Sequence, residues 1–326
     1  MTILIDIIAI LAGFGLLIWS ADHFVTGASA TARNLGISPL IIGLTIVGFG
    51  TSAPEMLVSA FAAAEGNPGL SVGNALGSNI TNITLILGTT AIFYPLSIHS
   101  GILKREYPLL IIASLIASLL LYLDNHLGWI DGLIMLGSLF LIMFWMVHHT
   151  IKNRNSDPLE VEFEHEIPAH MPMSKALGLL AMGLLVLLIS SKMLVWGATN
   201  VATFLGISDL IIGLTIVAIG TSLPELAASI ISAKKNEHDI AIGNVIGSNM
   251  FNMLGVMGLP GLIAPAALPD GVLSRDLPMV LILTLLLYFM SSGLKGEGKI
   301  TRFGGYILLA IFVAYETLLY FSATGG

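Results

Sequence analysis

One stretch of the chain occurs twice. Residues 43–55 read Gly-Leu-Thr-Ile-Val-Gly-Phe-Gly-Thr-Ser-Ala-Pro-Glu, and residues 213–225 read Gly-Leu-Thr-Ile-Val-Ala-Ile-Gly-Thr-Ser-Leu-Pro-Glu. Each is an apolar helical run interrupted by a Gly-Thr-Ser-x-Pro-Glu knot. Each knot sets a carboxylate, Glu55 or Glu225, inside a segment otherwise suited to lipid. A carboxylate at that depth costs roughly 2.5–3.5 kcal/mol on insertion scales, so its default reading is functional.

The remaining composition agrees with a membrane setting. Of 326 residues, 56% are hydrophobic and 10% charged, against about 25% charged in soluble domains. The chain contains no cysteine, which excludes disulfides, thiolate metal sites and cysteine nucleophiles. Ala28-Ser29-Ala30 resembles a signal-peptide cleavage site, but the apolar run before it has no basic start and is too long for an h-region.

About ten apolar segments reach the roughly 20 residues that a span needs. They lie near 3–27, 38–64, 70–97, 107–123, 127–149, 176–200, 208–233, 239–266, 277–293 and 303–322. Arg33, Lys104, Arg105, Lys152, Arg154, Lys175, Lys234, Lys235, Lys295, Lys299 and Arg302 fall in alternate loops, while the other loops hold Arg275 alone. By the positive-inside rule, the loop after the first span is cytoplasmic and both termini face outward. Asp22 and Lys192 stand at equivalent places in the first and sixth spans and read as snorkelling side chains near span ends.

A shift of 170 residues superposes the two halves without a gap. Gly36-Ile37-Ser38 meets Gly206-Ile207-Ser208, and Glu55 meets Glu225. Gly73-Asn74-x-x-Gly77-Ser78-Asn79-x-x-Asn82 meets Gly243-Asn244-x-x-Gly247-Ser248-Asn249-x-x-Asn252. Five spans separate equivalent residues, so the second copy enters the membrane from the opposite side. The expected fold is therefore an all-α polytopic membrane protein of ten transmembrane helices, arranged as two inverted five-helix repeats with broken helices at the centre. Such repeats mark secondary transporters with a site near the midplane. The first repeat covers 1–149 with its motif at 43–88. A cytoplasmic linker covers 150–174 and carries Asp157, Glu160, Glu162, Glu164 and Glu166, and the second repeat covers 175–326 with its motif at 213–258.

The knots carry the chemistry. Pro54 removes an amide donor and Gly50 adopts backbone angles that other residues avoid, so a break is expected between them. Ser52 with Glu55, and Ser222 with Glu225, have capping-box spacing. Capping alone needs no ionised group, and glutamine would serve without the insertion cost. Irregular backbone at membrane depth is tolerated where it is buried or lines a cavity, and freed carbonyls are expected near Gly48 and Ala218. Ser78 and Asn82 share a helix face, as do Ser248 and Asn252. Gly73 with Gly77, and Gly243 with Gly247, form small-residue faces suited to close helix packing.

Two carboxylates, the hydroxyls of Thr51, Ser52, Thr221, Ser222, Ser78 and Ser248, and the amide oxygens of Asn82 and Asn252 make an all-oxygen donor set. That set suits Ca²⁺, and Na⁺ can use the same hard oxygens. Mg²⁺ gives up its waters reluctantly, and zinc or copper would want nitrogen or sulfur.

These paired motifs resemble those of the sodium/calcium exchanger family, and the likeness to its short prokaryotic members runs over essentially the whole chain. The resemblance implies that Glu55, Asn82, Glu225 and Asn252 form a central diamond. Thr51, Ser52, Ser78, Thr221, Ser222 and Ser248 would surround it, and Gly48 and Ala218 would lend carbonyls. It also implies alternating access, with the first and sixth spans sliding over the rest. Asn252 departs from the archaeal pattern, where an aspartate is usual. The function so implied is Ca²⁺/Na⁺ antiport across the inner membrane, with Ca²⁺ exported. Ca²⁺/H⁺ antiport on the same scaffold is the alternative. An intramembrane hydrolase would need a dyad, a triad or a zinc helix, and His148, His149, Asp6 and Asp131 supply none. A cation channel fits a mirrored carboxylate site less well. Beyond Ca²⁺, Na⁺ and the bilayer, the sequence implies no cofactor, nucleic acid or protein partner.

Overall fold

A computed structural model describes residues 2–36, 39–66, 68–98, 103–152, 171–204, 218–291 and 298–324. Among them, eight helices are long and apolar enough to cross a membrane. Gly43–Thr51 and Ala53–Ala64 are together apolar enough for a span, or for a re-entrant loop, and are bent by 47° at Ser52. The expected tenth span, 208–233, is described only from residue 218, and residues 153–170 of the expected linker also lie outside the described residues.

The chain divides into two compact units, and each draws on both halves of the sequence. The first comprises Met1–Leu57 and Leu139–Ser248, and the second Val58–Ser138 and Asn249–Gly326.

The first unit is built on two long helices, Thr2–Leu35 and Met173–Phe204. They run antiparallel, and glycines set their approach. A Cβ added at Gly27 would fall 2.4 Å from the Leu180 nitrogen, and one at Gly183 would fall 2.5 Å from the Phe24 nitrogen. Gly13 meets Leu194, and Gly197 meets Asp6 and Ile10. Gly13 and Gly183, like Gly27 and Gly197, are 170 residues apart, so the contacts repeat under the shift that superposes the sequence. Asn200 Nδ2 closes one end of the pair with a 2.8 Å bond to Asp6 Oδ1. Phe24, Val25, Leu180 and Leu187 form a buried core with Val47 and Ala228 from the elements that carry the knots, and with Ile240.

Asp22 is not simply snorkelling. Its carboxylate pairs with Lys235 at 2.8 Å, and Lys235 also donates to Thr26 at 2.7 Å. These contacts join the first helix to the end of Leu223–Lys234.

In the second unit, Leu87–Phe93 packs on Arg302–Thr324 through Gly88 and Gly305, each facing the other's backbone. Two short antiparallel ribbons add a little strand to the all-helical plan: Leu96–Ile98 with Gly298–Ile300, and His126–Leu127 with Ala266–Ala267. Tyr107 hydroxyl bonds Ser291 at 2.8 Å, anchoring Leu103–Asp124 to Leu277–Ser291.

The expected helix breaks take two forms. The first knot bends its span. By contrast, 68–93 and 238–263 run on without a break, each through a π-helical turn, Asn82–Ile86 and Phe251–Val256. In both turns the carbonyl of the motif asparagine accepts from five residues on, Asn82 from Leu87 and Asn252 from Met257. Such turns are often found at functional sites.

Candidate ion-binding site

The first knot begins where a π turn, Gly43–Val47, passes into Gly48–Thr51. Ser52 stands at the bend, and Ala53–Ala64 resumes with Pro54 and Glu55 in its first turn. Proline has no N–H to give to the carbonyl four residues before it, so the bend falls where the ladder is weakest. From residue 218 the second knot follows the same order: Ala218–Thr221, Ser222 at the junction, then Leu223–Lys234.

The capping-box expectation fails in an informative way. Ser222 makes no side-chain cap bond to its own helix. Its hydroxyl instead reaches Glu55 Oε1 at 3.4 Å, and the Ser52 hydroxyl reaches Glu225 Oε1 at 3.3 Å. Each serine therefore serves the other knot's glutamate. Thr221 also hydrogen-bonds Glu55, and Thr51 bears on Glu225 in the same way. The reason is tertiary: with the two half-helices facing each other, the hydroxyls across the gap reach the carboxylates. Both glutamates are buried, with 1% and 0% exposure for Glu55 and Glu225. Two buried carboxylates held by hydroxyls form a site that a bound cation would complete.

Around Thr51 the first unit gathers further oxygens. Its hydroxyl lies 3.0 Å from Asn244 Oδ1, 3.1 Å from the Val47 carbonyl and 3.3 Å from Ser248 Oγ. Gly48 does not offer the freed carbonyl expected of it. Its oxygen accepts the Ser52 N–H at 3.0 Å and the Ser248 hydroxyl at 3.4 Å. Of Ala218, only the backbone position at the start of its helix is described.

In the second unit, Asn82 donates to Asn249 Oδ1 at 3.1 Å while its own Oδ1 has no hydrogen-bond partner among the described residues. Asn252 is fully buried, and neither atom of its amide has a hydrogen-bond partner among the described residues. Ser78 is buried on the same helix as Asn82. Unpartnered buried amides are costly, about 1–3 kcal/mol each, and are the mark of groups held for something else.

The described residues contain no cluster of three or more His, Cys, Asp and Glu, in keeping with a donor set made chiefly of hydroxyls and amides. Sequence reasoning passed over Asn244. The available signal was its place four residues before Ser248, hence on the same helix face.

The sequence profile of the family described as "sodium/calcium exchanger protein" matches residues 5–148 and 175–321. The chain belongs to the sodium/calcium exchanger family. It is 49% identical to the putative antiporter CaxA of Alkalimonas amylolytica, covering 98% of this chain and all of that one. It is 39% identical to the inner membrane protein YrbG of Escherichia coli, covering 95% of each. The solved structure of the sodium-calcium exchanger NCX_Mj, soaked without Na⁺ and Ca²⁺, superposes with a TM-score of 0.83 at 32% identity, covering 97% of this chain and 99% of that one. This exchanger is thus a multi-pass membrane antiporter of that family. Its motif residues are the ones whose buried oxygens have just been described.

Proposed function

We propose that this exchanger binds Ca²⁺ and Na⁺ alternately at one site and exports Ca²⁺ across the inner membrane, driven by the Na⁺ gradient. The observation that carries the reading is the reciprocal pairing of Ser52 with Glu225 and Ser222 with Glu55. It couples two buried carboxylates, and two ionised glutamates balance one divalent cation. In this reading Glu55, Glu225, Asn82 and Asn252 are the central ligands. Thr51, Ser52, Thr221, Ser222, Ser78 and Ser248 supply hydroxyl oxygens, and Ala218 supplies a carbonyl. Hard oxygens in a flexible shell suit Ca²⁺ and admit Na⁺.

The transport cycle follows from an inverted repeat. Ten spans with both termini outside and the 150–174 linker in the cytoplasm make each half the mirror of the other. Exchanging the roles of the halves then opens the site to the opposite side. The glycine contacts between Thr2–Leu35 and Met173–Phe204, which repeat under the 170-residue shift, support that symmetry. The relatives named above, an antiporter and an inner membrane protein, support the activity and the location.

The test is ⁴⁵Ca²⁺ uptake into proteoliposomes under an imposed Na⁺ gradient, compared with an imposed pH gradient. Uptake that follows the Na⁺ gradient is expected. Uptake driven by the pH gradient alone would replace this reading with Ca²⁺/H⁺ antiport, and uptake in neither would remove both.

A further inference from the structure

We propose that Asn244 is a positioning residue that turns the Thr51 hydroxyl into a dedicated acceptor for the transported cation; the inference rests on the cation-exchange reading above. Asn244 is fully buried in His238–Met250. A carboxamide offers two N–H donors on nitrogen and acceptor lone pairs on oxygen. The Asn244 nitrogen faces the Glu225 main-chain carbonyl at 3.3 Å and Ser229 Oγ at 3.1 Å. Turning the amide over would set its oxygen against the Glu225 carbonyl, acceptor against acceptor. Its orientation is therefore fixed by the backbone of the second knot.

The consequence reaches the first knot. Asn244 Oδ1 faces Thr51 Oγ1 at 3.0 Å and can only accept, so the single hydroxyl hydrogen of Thr51 is drawn to it. Other acceptors compete for that hydrogen: the Val47 carbonyl at 3.1 Å, Ser248 Oγ at 3.3 Å, the Gly48 carbonyl at 3.5 Å and the Glu225 carboxylate. Donation to Val47 would leave Asn244 Oδ1 facing a bare oxygen in a buried site. Donation to Glu225 would aim a positive hydrogen at the group that holds the cation. With the hydrogen on Asn244, the Thr51 lone pairs are free for a hard cation. The same amide grips the turn that carries Glu225, so one side chain ties the hydroxyl ligand of one knot to the carboxylate ligand of the other.

A double-mutant cycle separates this role from simple packing. Equilibrium ⁴⁵Ca²⁺ binding would be measured on the purified full-length chain in detergent, with Asn244→Ala, Thr51→Val and the double variant. Each single change is expected to weaken Kd about tenfold. The double variant should be no more than about twofold weaker than the poorer single, because the amide acts through the hydroxyl. Thr51→Ser, which keeps the hydroxyl, should weaken Kd less than Thr51→Val does. An unchanged Kd in Asn244→Ala, or losses that multiply to about a hundredfold in the double variant, would overturn the assignment. If Asn244→Ala is not monodisperse, Asn244→Ser takes its place in the cycle under the same criteria. Absence of Ca²⁺ binding by the parent chain would instead remove the exchange reading, and this inference with it.

Discussion

Gly247→Ala tests whether packing next to the first knot controls the site. Gly247 lies against the start of the first knot's span, and a Cβ there would sit 2.2 Å from the Leu44 carbonyl oxygen and 2.8 Å from its carbon. Real Cβ contacts under 3.0 Å are essentially unknown, and the obstacle is backbone. No rotamer change relieves it, so the two helices must part by about 1 Å. Overpacking of this kind costs about 1–3 kcal/mol, and a backbone clash belongs at the upper end. At about 2–4 °C per kcal/mol for a large domain, a loss of roughly 5–10 °C in thermal stability is expected. The neighbouring residue Ser248 lies 3.3 Å from Thr51, so parting the helices also pulls apart two of the proposed hydroxyl ligands, and Ca²⁺ affinity should fall with stability. Gly15→Ala is the control. Gly15 is exposed on the first helix with nothing within 4 Å of its added Cβ among the described residues, and alanine there gains up to about 1 kcal/mol of helix propensity. The assay is thermal unfolding of the detergent-solubilised protein followed by Ca²⁺ titration. A Gly247→Ala protein as stable as the parent, with unchanged affinity, would refute the reasoning.

Three further outcomes are expected. Ser52→Ala and Ser222→Ala should weaken Ca²⁺ binding by similar factors, about threefold to tenfold, because their bonds to the opposite glutamates are near equal in length; a large effect from one and none from the other in titration would break the reciprocity. Asn252→Leu should raise the stability of the ion-free protein by about 1–3 kcal/mol, since it removes an unpartnered buried amide, while abolishing stabilisation by added Ca²⁺; thermal melts with and without Ca²⁺ read both. Asp22→Asn breaks an ion pair whose side chains are 31% and 51% exposed, so denaturation should show a loss of no more than about 1 kcal/mol.

The sequence made the spans and the paired knots legible because both are local. Apolar length declares a helix in lipid, and a proline next to a glutamate in such a run declares its own cost. The 170-residue shift extended that local reading to the pairing of Glu55 with Glu225. Contacts across the fold were less accessible. Capping-box spacing pointed Ser52 at its own helix, yet Glu225 lies within its reach because two half-helices face each other, which no single-chain spacing encodes. The π turns at Asn82 and Asn252 were not legible, since neither carries a proline or other residue that would tell a widened turn from a regular one. Asn244 was passed over because its importance lies in its partners, Thr51 and the Glu225 backbone, which are remote in sequence. The small-residue faces were recognised, and Gly247 lies against Leu44; Leu214, the counterpart of Leu44, lies outside the described residues.

The central claim is that Glu55 and Glu225 act as one site for Ca²⁺ that Na⁺ can empty. Equilibrium ⁴⁵Ca²⁺ binding to the purified chain, competed with Na⁺, tests it in the parent, Glu55→Gln and Glu225→Gln. Binding that Na⁺ displaces in the parent and that falls at least about a hundredfold in each glutamine variant, with folding intact, is the expected result, since each variant removes one buried charge from the pair. Ca²⁺ bound with parental affinity by either variant would contradict the claim.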